Sequence, residues 1–231
     1  MDKKKETKKE LILNAAINVF AKRGYYPCRT LDISSEAGVA YGSLYSYFKS
    51  KDDILLSIFR DRWMRLLEKI DRVNGELKDP SEKIDEIFKF IFRSYDNYPD
   101  MMKVMIMEVP RLEQFYTPES QKLYNRFFEE IAEIIREGQE AGVFSKAISP
   151  LVGSFTLSGA VDAVIRQYVF NPKFKKKKYP LEEVIGQTLN ILKKGVLEKA
   201  LPGEAAVQIG GKAKGKGQKR MAKGEGRGAK G

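Results

Sequence analysis

A helix starting near Ala40 presents Tyr41, Ser43, Ser46 and Tyr47 on its outer face, while Leu44 and Phe48, four apart, anchor the opposite face. Hydroxyls and phenols at that spacing offer a groove hydrogen-bonding and aromatic contacts. Covalent chemistry finds little support elsewhere. The 231 residues contain no histidine, which removes the commonest general base, the imidazole metal ligand and every Ser–His or Cys–His pair. The remaining carboxylates, Glu108 and Glu129 among them, form no recognisable constellation with lysines or tyrosines. A binding protein without resident cofactor or metal is therefore expected, not an enzyme.

The segments around this face read as its mount. Thr30 is expected to cap a short helix through its hydroxyl, and Ile33 and Ala37 share that helix's buried side. Gly38 supplies a turn with positive φ, Val39 plugs it, and the two helices together have the pattern of a helix-turn-helix DNA reader. A support helix over residues 7–23 carries Leu11, Ile12, Ala15, Ala16, Val19 and Phe20 at helical spacing and ends at Gly24. A long helix follows from Lys51 to about Val73. Asp79-Pro80, Thr117-Pro118 and Ser149-Pro150 each place proline at a first helical position. A Met-rich piece covers 101–107, and two last helices cover 150–170 and 180–199. No strand periodicity occurs, so the class is all-α, with a reading domain over 1–50, a second helical domain over 51–201 and a tail over 202–231.

The formal net charge is +11, which makes a polyanion the first partner to consider. Within 202–231, eight lysines and arginines face only Glu204 and Glu225, and apolar residues are too sparse for a core. The tail is expected to be unstructured and to add sequence-independent DNA affinity. Cys28 is the single cysteine, so no intrachain disulfide forms; a redox-sensing thiol and an ordinary buried cysteine are the two readings open to it. The charged opening residues carry no signal-peptide pattern, and 147–165, with Pro150 and Asp162, falls short of a membrane span. A cytoplasmic protein without membrane contact is expected.

The motif resembles the TetR family of bacterial transcriptional regulators at Thr30, Ile33, Ala37, Gly38, Val39, Gly42, Leu44, Tyr45, Phe48 and Lys51. That resemblance implies phosphate contacts by Thr30, Tyr45, Tyr47 and Lys51, and base-edge contacts by Ala40, Tyr41, Gly42 and Ser43. Ala40 departs from the family's usual Ser or Thr, so one hydroxyl is missing and Ser43 takes over part of its role. The resemblance further implies a homodimer formed by the last two helices, reading a palindromic operator on double-stranded DNA, and a helical domain that binds a small-molecule effector.

Phe88, Phe92, Tyr95, Met101, Met102, Met105, Phe127 and Phe128 are the candidate apolar lining of that effector site. Gly38 to Leu55, and more faintly Gly159 to Val164, resemble the TetR-type repressors of fatty-acid degradation, which long-chain acyl-coenzyme A releases from DNA. Coenzyme A phosphates would then need cations such as Arg93, Arg111, Arg166 or the run Lys173 to Lys178. A multidrug-type regulator of the same family, an enzyme using the helical cavity and a DNA-coating protein driven by the tail are the alternatives.

Overall fold

A computed structural model describes residues 7–196, and the basic tail expected over 202–231 lies outside the described residues. Helix α1 (Lys8–Arg23) begins at a reciprocal cap: the Glu10 amide donates to the Thr7 hydroxyl at 3.3 Å, and the Thr7 amide donates to the Glu10 carboxylate at 2.8 Å. It stops at Gly24, whose φ of +80° a side chain would resist. Helices α2 (Thr30–Glu36) and α3 (Tyr41–Tyr45) are short, and α4 runs over Lys51–Glu76, one turn beyond the sequence expectation. At 1.5 Å per residue α4 is about 39 Å long, and it contributes buried side chains to both apolar clusters of the fold.

Helices α5 (Pro80–Asn97), α7 (Pro118–Glu140) and α8 (Pro150–Phe170) start at the expected prolines, and α9 spans Leu181–Val196. Asp79 caps α5 by accepting from the Ser81 amide at 2.8 Å. The Met-rich piece is a helix, α6 (Pro99–Met107), followed by two 3-10 turns, Val109–Arg111 and Glu113–Tyr116, that the sequence reading missed. Among the described residues there are only helices, turns and irregular segments apart from one isolated bridge residue.

Apolar burial divides into two clusters. The first joins α1, α2 and α3 to the first turns of α4, and includes Met101 and Val104 from α6 with Val109, Leu112 and Phe115 from the turns after it. The second holds the remainder of α4 with α5, α7, α8 and α9, centred on Ile70, Ile87, Phe88, Phe92, Ile131 and Ile134. Trp63, Met102 and Leu123 pack against both. Each fully buried side chain of this size is worth about 1.5–3 kcal/mol of transfer free energy, so the two clusters supply most of the gross stabilisation.

The side of α7 facing α8 is tightly fitted at its end. The Gln139 side-chain amide donates to the carbonyls of Ser145 and Ile148 at 2.8 and 2.7 Å, and a Cβ on Gly138 would lie 2.1 Å from the Phe144 ring. Gly138→Ala is therefore expected to lower unfolding free energy by about 1–3 kcal/mol through overpacking. Gly75→Ala, with open space around the added methyl, should be neutral or stabilise by up to about 1 kcal/mol. Urea denaturation of both variants checks the contrast; equal midpoints would contradict the packing assigned to Phe144.

Candidate nucleic-acid interface and effector region

Two buried anchors fix the reading face. Ile33 of α2 and Leu44 of α3 are each 0% exposed, Phe48 just beyond α3 is 2% exposed, and Gly38 between the helices has φ +65°. The Val39 amide donates to the Ser34 carbonyl at 3.0 Å, closing the turn. With those side chains buried, Tyr41, Tyr45 and Tyr47 are left about half exposed on the outer face, alongside exposed Ala40 and Gly42 and half-buried Ser43. A Cβ on Gly42 would meet nothing within 4 Å, so the bare backbone there is open to a close partner.

Thr30 corrects the sequence reading. It is the first residue of α2 and not its cap; the cap position is Arg29, whose amide donates to the Asp32 carboxylate at 2.8 Å. That carboxylate is held below its ordinary range by the Arg29 amide first and by Arg23, which pairs with it at 2.9 Å. The Thr30 hydroxyl is thus released to lie 3.0 Å from the Tyr45 hydroxyl and 3.3 Å from that of Tyr41. The two phenol oxygens are 3.0 Å apart.

Lys51 stands where the resemblance places a phosphate contact, yet its ammonium donates to three carbonyls, those of Tyr25 at 2.8 Å, Tyr26 at 3.2 Å and Cys28 at 2.9 Å. It also sits 4.2 Å from the centre of the Tyr25 ring. All three of its protons are engaged within the protein, which leaves the ammonium no free donor for a phosphate in this arrangement. The Tyr25 hydroxyl donates to Asp52, which also accepts from Gln114 at 3.1 Å, and burial with that carboxylate contact pushes the phenol's pKa up. Cys28 is 2% exposed and burial raises its thiol pKa, which favours the ordinary buried cysteine over the sensor.

The candidate effector residues do not form one lining. Phe88, Phe92 and Phe127 belong to the second cluster, with Tyr95 and Phe128 packed against it. Met101 is buried in the first cluster with Met105 against it, because α6 lies beneath α1: the Lys103 ammonium donates to the Ala21 carbonyl at 2.6 Å. Arg166 is tied to Asp162 on its own helix, at 2.6 Å. Where the clusters meet, Trp63 stacks on Tyr124 with ring centres 5.1 Å apart, and its indole nitrogen is buried with no hydrogen-bond partner among the described residues. Tyr95 and Tyr168 stack at 5.4 Å and line an open cleft of about 510 Å³ with Phe174, Lys175 and Lys176.

Residues 12–58 match the family model of bacterial regulatory proteins of the tetR family, and residues 80–176 match that of a tetracyclin repressor-like C-terminal domain. The fatty acid metabolism regulator protein of Bacillus subtilis is 24% identical over 197 residues, covering 85% of this chain and all of that protein. The fatty acid degradation regulator FadR from Bacillus halodurans superimposes with a TM-score of 0.73 at 25% identity, over 84% of this chain and 98% of that one. FadR from Bacillus subtilis in complex with stearoyl-CoA gives a TM-score of 0.70 at 24% identity, over 80% of this chain and 97% of that one.

Lys51→Ala leaves three carbonyls without their charged donor, and a hydrogen bond to a charged group contributes on the order of 2 kcal/mol. Urea unfolding in the absence of DNA should show a loss of about that size; an unchanged midpoint would mean that the carbonyls find other partners.

Proposed function

We propose that this chain, which belongs to the TetR family of bacterial regulatory proteins, is a repressor that binds a palindromic operator as a two-fold dimer and lets go when an amphipathic effector occupies its helical domain. The observation that carries the reading is the α2–turn–α3 wedge with its polar face outward and its apolar anchors buried. One five-residue helix reads few base pairs, so two copies about one DNA turn apart, ~34 Å, supply the remaining contacts.

The dimer surface is the outer side of α8 and α9. Val152 and Ile191 are 59% and 70% exposed, and Phe155 and Phe170 are also exposed on α8, an apolar face that water disfavours. The small residues divide by side: Gly153 and Ser154 are buried against the protomer's own core, while Gly159 and Gly186 have open space where a Cβ would be and permit close helix approach.

Long-chain acyl-coenzyme A is the effector class that this arrangement suits, and the relative solved with stearoyl-CoA supports it. On α5, Phe88, Phe92 and Tyr95 share the second cluster with Val161, Ile165 and Tyr168 of α8. That apolar seam ends at Tyr95, which lines the cleft beside Lys175 and Lys176. An acyl chain entering the seam leaves its phosphates near those cations. Opening the seam shifts α5 and, through Met102, Trp63 and Leu123, which pack against both clusters, the helices α6, α4 and α7. The effector acts through its differential affinity for the two states, and a tenfold change in operator affinity needs about 1.4 kcal/mol of coupling.

Selection of bound sequences from random duplex DNA by the full-length chain should return one inverted repeat. Stearoyl-CoA should then weaken binding to that repeat at least tenfold in anisotropy titrations and shift the emission of Trp63, the only tryptophan. Free coenzyme A should do neither. Failure to select any motif rejects the operator reading, and a selected motif that stearoyl-CoA leaves unaffected rejects this effector class. Replacing both Val152 and Ile191 with Asp should give a monomer in sedimentation velocity and lower operator affinity by more than about a hundredfold. A dimer that survives the double change places the interface elsewhere.

A further inference from the structure

Sequence resemblance gives Tyr41 to base readout, yet its hydroxyl is already committed. Thr30, Tyr41 and Tyr45 close a triangle of three hydroxyl oxygens with sides of 3.0, 3.0 and 3.3 Å. The two phenol rings meet edge to face, with centres 5.3 Å apart and planes at 84°, which holds both oxygens over the start of α2. Helical spacing of four residues puts Tyr41 and Tyr45 on one side of α3, and the positive-φ turn at Gly38 brings that side against Thr30.

A closed hydroxyl triangle has a definite preference among guests. Its three protons are spent on its own edges, so a base edge with mixed donors and acceptors has to break it and then satisfy both kinds of partner. An anionic oxygen arriving at the triangle needs only donors, and rotation of the hydroxyls about their C–O bonds turns all three toward it. O–H donors to an anion form short, charge-assisted bonds, about twice as strong as neutral ones. On a DNA-reading face the anionic oxygen is that of a backbone phosphate.

Building on the operator reading above, we infer that Thr30, Tyr41 and Tyr45 form one three-hydroxyl cradle for a single DNA phosphate. Tyr41 contributes affinity shared by all sequences, and direct base discrimination falls to Ala40, Gly42 and Ser43. The hydroxyls are neutral and release no counterions, so this affinity leaves the salt dependence of binding unchanged.

The test uses the full chain and the repeat that it selects. Tyr41→Phe keeps the ring and removes the hydroxyl. It should lower affinity roughly tenfold, equally on the selected repeat and on each of its single-base variants, with the recovered motif and the salt slope unaltered. A motif that changes at any base position, or affinity equal to wild type, overturns the cradle. Because a packing defect also lowers affinity, neutral methylphosphonates are then placed one at a time along the repeat. At one phosphate the substitution should weaken wild type while leaving Tyr41→Phe and Thr30→Val almost unaffected; effects that add at every phosphate overturn the proposal even if affinity falls. A wild-type chain that selects no motif fails the operator reading first and removes the basis of the cradle.

Discussion

Eight of the sixteen residues of α1 are buried, Ile12 and Ala16 completely, and they are spread around the helix rather than along one stripe. A helix that is apolar on most sides needs cover on most sides. The short helix α2 provides it from the reading side and α4 and α6 provide it from the other. Reading head and helical domain therefore share one cluster of buried side chains, and displacing α6 uncovers α1 or drags it along. Lys103 adds a directional tether to this non-directional contact, because its bond to the Ala21 carbonyl fixes α6 against the last turn of α1.

A second junction lies at the start of α4, and it is electrostatic. Lys51 gathers the carbonyls of Tyr25, Tyr26 and Cys28, while Asp52 gathers the Tyr25 hydroxyl and the Gln114 amide. Adjacent residues of opposite charge thus grip the same loop from both sides. Gln114 belongs to the 3-10 turn after α6, so this knot joins the loop after α1, the first turn of α4 and the segment after α6. The two junctions thus hold the reading head at both ends of α1's exit loop.

Periodicity and punctuation in the sequence expose most of this architecture. Gly24 and Gly38 mark turns because their positive φ is a local backbone requirement, and Asp79 and Thr117 cap the helices whose first residues are prolines because capping is local too, whereas Ser149 precedes Pro150 without a side-chain cap. Helical spacing of apolar residues likewise marks Ile33, Leu44 and Phe48 as anchors. What stays hidden depends on distant partners. The methionines of α6 are flexible and apolar wherever they lie, and only their tertiary neighbours distinguish the floor of the reading head from the lining of a ligand site. Lys51 has the family's residue type at the family's position, yet its protons go to carbonyls more than twenty positions earlier in the chain. Thr30 looks like a cap from its neighbours, yet the Asp32 and Ile33 amides donate to the Arg29 carbonyl, which puts Thr30 inside the first turn. The caps at Thr7–Glu10 and Ser50–Asp53 have the spacing of a helix-start signal, although neither was among the expectations.

Close packing also bears on how an effector can act here. Phe88 and Phe92 are completely buried, so a ligand chain cannot enter their seam without separating helices that are in contact in this state. The separation costs the lost contacts, and the ligand's own apolar surface returns them only in the opened state. The indole nitrogen of Trp63, buried with no hydrogen-bond partner among the described residues, adds a polar counterpart: a ligand or a rearranged neighbour with an acceptor would give it one. Both terms favour the opened arrangement only when something fills it. Since Trp63 packs against both clusters, a rearrangement there acts at the joint between reading head and helical domain, the place from which the proposed dimer would change the separation of its heads.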